Sequence, residues 1–170
     1  FGRRSAVHAL DYIKGVGPAS RAEEDLASEK ARLQALLDRP PGERIATVRD
    51  DMARGITKGI GVNRDQVSME GALENLVNIK SRLPGVSVGN KGKVFNTDLM
   101  FALELEFMVD CADTIVAGAL ARKESRGAHY RTDMTERDDE NWLKHTLVYK
   151  DDAQEHGTRV ETSPVTITQW

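Results

Sequence analysis

Asn96-Thr97-Asp98-Leu99-Met100-Phe101-Ala102-Leu103-Glu104-Leu105-Glu106-Phe107-Met108-Val109-Asp110-Cys111-Ala112-Asp113-Thr114-Ile115-Val116-Ala117-Gly118-Ala119-Leu120-Ala121 is the stretch on which the fold turns. Asn96 or Thr97 is placed to cap the free backbone donors of a helix, and Asp98 in the first turn complements the positive end of its dipole. Phe101, Leu105, Met108, Ala112, Ile115 and Ala119 recur at helical spacing and form one apolar stripe. Met100, Leu103, Phe107 and Cys111 form a second stripe beside it. A helix apolar over so wide an arc packs against two neighbours, and Glu106, Asp110 and Asp113 supply its narrow wet edge.

The two neighbours lie upstream. Ile45, Val48, Met52, Ile56 and Ile60 share a face at helical spacing, closed by Gly59 and Gly61. After Asn63-Arg64-Asp65, the residues Met69, Ala72, Leu73, Leu76, Ile79 and Leu83 mark the next helix, which Pro84-Gly85 terminates. Residues 44–122 therefore predict an antiparallel, spectrin-repeat-like three-helix bundle. A flanking helix over residues 19–38 carries Ala22, Leu26, Leu33 and Leu37 on one stripe, with Arg21, Glu24 and Lys30 facing water. Before it, residues 3–14 read as a short helix with Val7 and Leu10 inward, broken by Gly15-Val16-Gly17-Pro18. The stretch from Val86 to Val94 is glycine- and lysine-bearing and reads as a polar, exposed loop.

Beyond Arg131 the period changes from helical to two. Leu143, His145, Leu147 and Tyr149 alternate with Trp142, Lys144, Thr146 and Val148, which predicts a strand. Asp151-Asp152 and His156-Gly157 are turn signals, and Thr158 to Thr162 returns as the partner. Val165 and Ile167 suggest a further extended piece. So small a hairpin needs another surface to lie on. The fold class is mainly α, with a small C-terminal β-hairpin extension. The expected domains are 1–18, 19–135 and 136–170.

Composition narrows the function classes. The 170 residues are 30% charged and 39% hydrophobic, ordinary globular chemistry for one core. Only 5% are aromatic, so the core is built from Leu, Ile, Val, Met and Ala. A formal net charge of -3 gives no basic field for nucleic acid or anionic lipid. Cys111, the one cysteine, has no internal disulfide partner and reads as a small core residue. Four acids within Leu99 to Ala121 argue against a membrane span there. His8, His129, His145 and His156 have no metal-ligand spacing, so no metal site is expected. Gly15-Val16-Gly17 and Gly59-Ile60-Gly61 lack a nucleotide fingerprint and read as breakers. Trp142 reads as a local packing residue, and Trp170 is undecided.

Past the long helix comes Ala121-Arg122-Lys123-Glu124-Ser125-Arg126-Gly127-Ala128-His129-Tyr130-Arg131, answered by Glu136-Arg137-Asp138-Asp139-Glu140-Asn141-Trp142-Leu143-Lys144-His145-Thr146. Arg126, His129 and Arg131 converge around Gly127, an arrangement able to dock a carboxylate because Arg presents a rigid fork of donors and Gly lets the backbone approach. Two compatible roles follow. The charges pair locally with Asp133, Glu136, Asp138 or Asp139 and fix a turn, or the loop faces another domain.

These runs, with Val94-Phe95-Asn96-Thr97-Asp98-Leu99, closely resemble the carboxy-terminal region of the flavoprotein subunit of succinate dehydrogenase and fumarate reductase, over most of residues 45–149. The resemblance implies a parent flavoprotein with FAD that interconverts succinate and fumarate and passes electrons to an iron-sulfur subunit and, through membrane anchor subunits, to a quinone. It implies that residues 1–18 are the terminal helix of the flavin-binding domain and that the flavin and capping domains lie before Phe1. On that basis the chain is a fragment with no catalytic or cofactor-binding residue of its own. Arg126, Gly127, His129 and Arg131 are then candidates for the contact with the flavin-binding domain. The parent would sit as a peripheral subunit on the cytoplasmic face of the inner membrane. L-aspartate oxidase, with a similar Ser-Arg-Gly motif, and a non-catalytic helical interaction module are the alternatives.

Overall fold

A computed structural model describes residues 1–17 and 22–168. The chain divides into two compact units, Phe1–Ala35 and Leu36–Trp170. The expected break at Pro18, the start of the flanking helix, Arg21 and Trp170 lie outside the described residues.

In the first unit α1 spans Gly2–Gly15 and buries none of its residues. Val7 and Leu10, expected to turn inward, are 55% and 58% exposed. The next helix, α2 (Glu23–Asp38), buries Leu36 and Leu37 at its end, while Leu26 near its start stays exposed.

The second unit is mostly helical. Its elements are β1 (Glu43–Arg44), α3 (Ile45–Ile60), β2 (Asn63–Arg64), α4 (Gln66–Arg82), a 3-10 turn Leu83–Gly85, β3 (Val86–Ser87), α5 (Thr97–Ala121), β4 (Tyr130–Arg131), α6 (Asp139–Trp142), β5 (Lys144–Lys150) and β6 (Thr158–Pro164). Val48, Met52 and Ile60 of α3, Met69, Ala72, Leu76 and Ile79 of α4, and Leu105, Val109, Ala112, Val116 and Ala119 of α5 form one core cluster. The faces expected for α3 and α4 are the buried ones. Gly59 sits where those two helices approach: a Cβ there would lie 2.4 Å from the Ser68 carbonyl oxygen and 2.5 Å from Ala72 Cβ. A side chain at this position would push the helices apart.

α5 keeps Leu105, Ala112 and Ala119 of the first expected stripe inward, with Met108 partly buried beside them, but its inward face is rotated away from Phe101 and Ile115. The buried residues are Ala102, Leu105, Val109, Ala112, Asp113, Val116 and Ala119. Phe101 and Ile115 of the first expected stripe, and Met100, Phe107 and Cys111 of the second, are exposed. Small and β-branched side chains let neighbouring backbones come close, so the bulky ones stand outward. Asp113, expected on the wet edge, is 8% exposed and pairs with Lys80 Nζ at 2.5 Å.

Caps and two short ladders fix the ends. Asp65 and Ser68 form a reciprocal capping box on α4, and Asn96 Oδ1 accepts from Leu99 N on α5. β1 pairs parallel with β3, which sets the start of α3 beside the end of α4. β2 pairs parallel with β4, which brings the α3–α4 turn beside the chain just past α5. Val86, paired through β3, and Val88, packed with Leu37 and Ala102, are buried, so the stretch expected to be exposed tucks its first residues inward. The remainder, residues 89–95, is exposed. Within it Phe95 adopts φ 48, a conformation a bulky residue holds at a cost of about 1–3 kcal/mol.

β5 and β6 form the antiparallel hairpin expected after the turn signals, in register from Lys144↔Pro164 to Lys150↔Thr158. It lies on α5, with Thr146 and Val148 packed beside Gly118. No helix among the described residues is long and apolar enough to cross a membrane.

Candidate functional site

The loop that follows α5 is built around charges removed from water. Arg126 N donates to the His129 carbonyl at 2.8 Å and His129 N returns a bond to the Arg126 carbonyl at 3.0 Å. The tight turn between them needs a left-handed residue, and Gly127 supplies φ 58 without Cβ strain. Ser125 locks the base: its Oγ accepts from Arg131 N at 2.8 Å and donates to the Met134 carbonyl at 2.7 Å.

Two buried ion clusters hold the loop to the rest of the unit. Glu124 has no exposed surface and accepts from Arg122, from Arg126 Nε at 2.7 Å, from Arg126 Nη2 at 3.0 Å and from Asp138 N at 2.8 Å. Burial alone would raise its carboxyl, but these donors win and hold it down to about 2. Arg126 also reaches Asp139 at 2.7 Å. Arg131 is likewise fully buried, bidentate to Asp133 at 2.9 and 2.7 Å, with further bonds to the Arg122 carbonyl and Gln66 Oε1. The Arg131 fork keeps the Asp133 carboxyl far below the usual carboxylate range. Local pairing with Asp133 and Asp139, one of the two roles open in the sequence, is therefore present.

His129 joins this loop to the α3–α4 turn. Its Nδ1 lies 2.9 Å from Arg64 Nη1. A guanidinium cannot accept, so Nδ1 accepts and the neutral ring carries its proton on Nε2. Burial first, then the Arg64 charge, holds the imidazole below its ordinary pKa; the Arg122 carbonyl pulls the other way without closing a hydrogen bond to Nε2. Gly127, Ala128 and Tyr130 form an exposed crest above this buried base.

Arg122 is the group that reading the sequence passed over. Its guanidinium donates to the carbonyls of Trp142 and Lys144 at 3.0 and 2.7 Å and to Thr146 Oγ1 at 3.0 Å, and it stacks 5.3 Å from the Trp142 ring centroid. It thereby ties the loop to α6 and the hairpin. Glu124, Gln66 and Arg64 were missed as well. The one available signal was the dense alternation of opposite charges from Arg122 to Asp139. A cleft of about 480 Å³ opens between Arg122, Arg126, His129, Trp142 and Lys144. Among the described residues no group of three or more His, Cys, Asp or Glu side chains is placed to hold a metal.

Residues 49–170 match the family described as "Fumarate reductase flavoprotein C-term". The chain is 44% identical over 140 residues to the fumarate reductase flavoprotein subunit of Haemophilus influenzae, covering 82% of this chain and 23% of that protein. The fumarate reductase flavoprotein subunit of Mycobacterium tuberculosis is 39% identical over 178 residues, covering 100% of this chain and 30% of that protein. A solved chain of Escherichia coli quinol fumarate reductase superimposes with a TM-score of 0.83 at 37% identity, covering 91% of this chain and 27% of that one. The chain spans less than a third of the length of these relatives. It belongs to the family of fumarate reductase flavoprotein carboxy-terminal domains.

Proposed function

We propose that this chain is the carboxy-terminal helical part of a flavoprotein that interconverts succinate and fumarate. FAD is held by polypeptide outside this sequence, and electrons leave through an iron-sulfur subunit and membrane anchor subunits to a quinone. The whole works as a peripheral subunit at the cytoplasmic face of the inner membrane. The chain's own part is structural: an antiparallel, spectrin-repeat-like three-helix bundle, supported by the β1–β3 and β2–β4 pairings at its ends, carries the 122–139 loop. Arg126, Gly127, His129 and Arg131 shape that loop for contact with the flavin-binding domain, and no residue here is assigned to hydride or proton transfer.

The observation that carries this reading is the contrast within the loop. Glu124 and Arg131 are buried with their charges neutralised inside the chain, and Ser125 is buried beside them, which stiffens an exposed crest of Gly127, Ala128 and Tyr130. Stiffening a surface in advance lowers the ordering cost of docking. In the intact flavoprotein, Ala128→Glu is expected to cut bound FAD and turnover by about tenfold or more, a loss of one modest interface contact. Thermal melting of the 170-residue chain with the same change should not move. Unchanged flavin content and turnover would overturn the interdomain role. An intact polypeptide that binds no flavin would overturn the flavoprotein reading itself.

A further inference from the structure

We infer that the loop of residues 89–95, with the first turn of α5, is a docking anchor whose Phe95 inserts into an apolar, carboxylate-rimmed pocket on the remainder of the same polypeptide. The inference rests on the flavoprotein reading above and concerns a surface distinct from the Arg126–Arg131 loop.

The loop is held, and what it holds is a phenyl ring in water. Asn96 Nδ2 donates to the carbonyls of Asn90 and Gly92, each at 2.7 Å, while Asn96 Oδ1 caps α5. Asn90 N donates to Asp98 Oδ2 at 3.0 Å, Gly92 N to Asn90 Oδ1 at 2.8 Å, and Lys91 Nζ to the Arg39 carbonyl at 2.8 Å. These bonds hold Phe95 at φ 48, where a bulky side chain is an outlier, and leave it 96% exposed. Strain maintained for no intramolecular packing points to a use outside the chain. Val94, Met100 and Phe101, near it in sequence, are 75%, 59% and 47% exposed, so this stretch leaves four large apolar side chains in water.

The rim gives the chemistry of the occupant. A cleft of about 410 Å³ next to Phe101 is lined by Arg44, Arg49, Asp50, Ser87 and Asp98. Arg44 and Arg49 of the lining, with Lys91 and Lys93 on the loop, outnumber Asp50 and Asp98 by four charges to two, and the Asp98 carboxylate already accepts from Asn90 N. An apolar pocket with acidic groups around it is complementary to this surface. The occupant lies in the same polypeptide because more than two-thirds of the length of the relatives falls outside the matched stretch.

The test compares Phe95→Gly and Arg49→Glu in the 170-residue chain and in the intact flavoprotein. Glycine accepts φ 48 and the lost ring is exposed, so the melting temperature of the chain should not fall by more than about 2 °C. In the intact flavoprotein, cleavage between this domain and the rest by limited proteolysis should quicken about tenfold with Phe95→Gly, the size of an anchoring contact, and less with Arg49→Glu. A clear drop in melting temperature of the Phe95→Gly chain would make the ring part of the fold and overturn the inference. Unchanged proteolysis in the intact protein would overturn it too. If the 170-residue chain dimerises through Phe95, or if only binding of a separate subunit is lost, the occupant is another copy or another chain, and the inference fails in that form. Should the intact polypeptide carry flavin while Phe95→Gly is silent, the flavoprotein reading survives and this one does not.

Discussion

The seam where α3, α4 and α5 meet and the loop from Arg122 to Asp139 are both buried, but they are held by opposite means. The seam joins Val48, Met69, Leu105 and Val116 by apolar contact, with the single Asp113–Lys80 pair at its edge; the loop buries Glu124 and Arg131 whole. Apolar contact is non-directional and tolerates small shifts, whereas each buried ion is costly unless every donor and acceptor is met. The seam therefore supplies stability, and the loop supplies one defined shape. That division suits a domain in which a loop is presented to something else.

The largest test of this contrast lies in the seam. Leu105→Ala, at a position 1% exposed, should cost about 2–5 kcal/mol of unfolding free energy by chemical denaturation, equally at pH 7 and pH 3. A loss below half of that range would mean that the seam is loosely packed and that the loop carries more of the stability than its role requires.

A smaller effect is expected in the loop, and it should depend on pH. Glu124→Gln at pH 7 should cost about 1–3 kcal/mol, because two guanidinium groups lose their anionic partner. The folded carboxyl titrates at about 2, below its ordinary value near 4.3, so its contribution is complete above about pH 4.3 and disappears as pH falls through about 2. Denaturation curves of the two proteins should accordingly converge across that window. Curves that stay parallel down to pH 2 would show that the Glu124 charge does not hold the loop.

The smallest effect sharpens the contrast within one helix. Phe107→Ser, on the exposed face of α5, should change stability by no more than about 0.5 kcal/mol, although the same exchange at Leu105 would be severe. A large loss at Phe107 would place the seam on the face that its bulky residues first suggested.

How much of this was legible depends on how much competition each residue faced. Val48, Met52 and Ile60, and Met69, Leu76 and Ile79, stand out because their helices are polar elsewhere, so one face reads unambiguously as core. α5 is apolar nearly all round, and its period admits several faces; Phe101 and Ile115 drew attention by size while Ala102 and Val109 made the contact. Asp113 looked wet because nothing local in sequence reveals Lys80 as its partner. Val86 and Val88 were hidden for a related reason: the first is buried through a two-residue pairing with a distant segment, the second by packing with the distant Leu37 and Ala102. In the site, Arg126, His129 and Arg131 were recognisable from residue type and from the glycine between them. Arg64 and Gln66, which anchor His129 and Arg131, sit on either side of the α4 N-cap and carry no motif of their own.

The two short parallel ladders also bear on the order in which the domain assembles. β1 meets β3, and β2 meets β4, each pair joining segments separated by one or more whole helices. Such pairings gain little until those intervening segments are already in place, because the entropy of closing a long loop must be met first. They act as latches set after the helices have docked, and their rupture would be an early step when the domain opens. The Arg126–Arg131 turn hangs from the second latch, so its shape is expected to follow the docking of α3, α4 and α5 rather than to precede it.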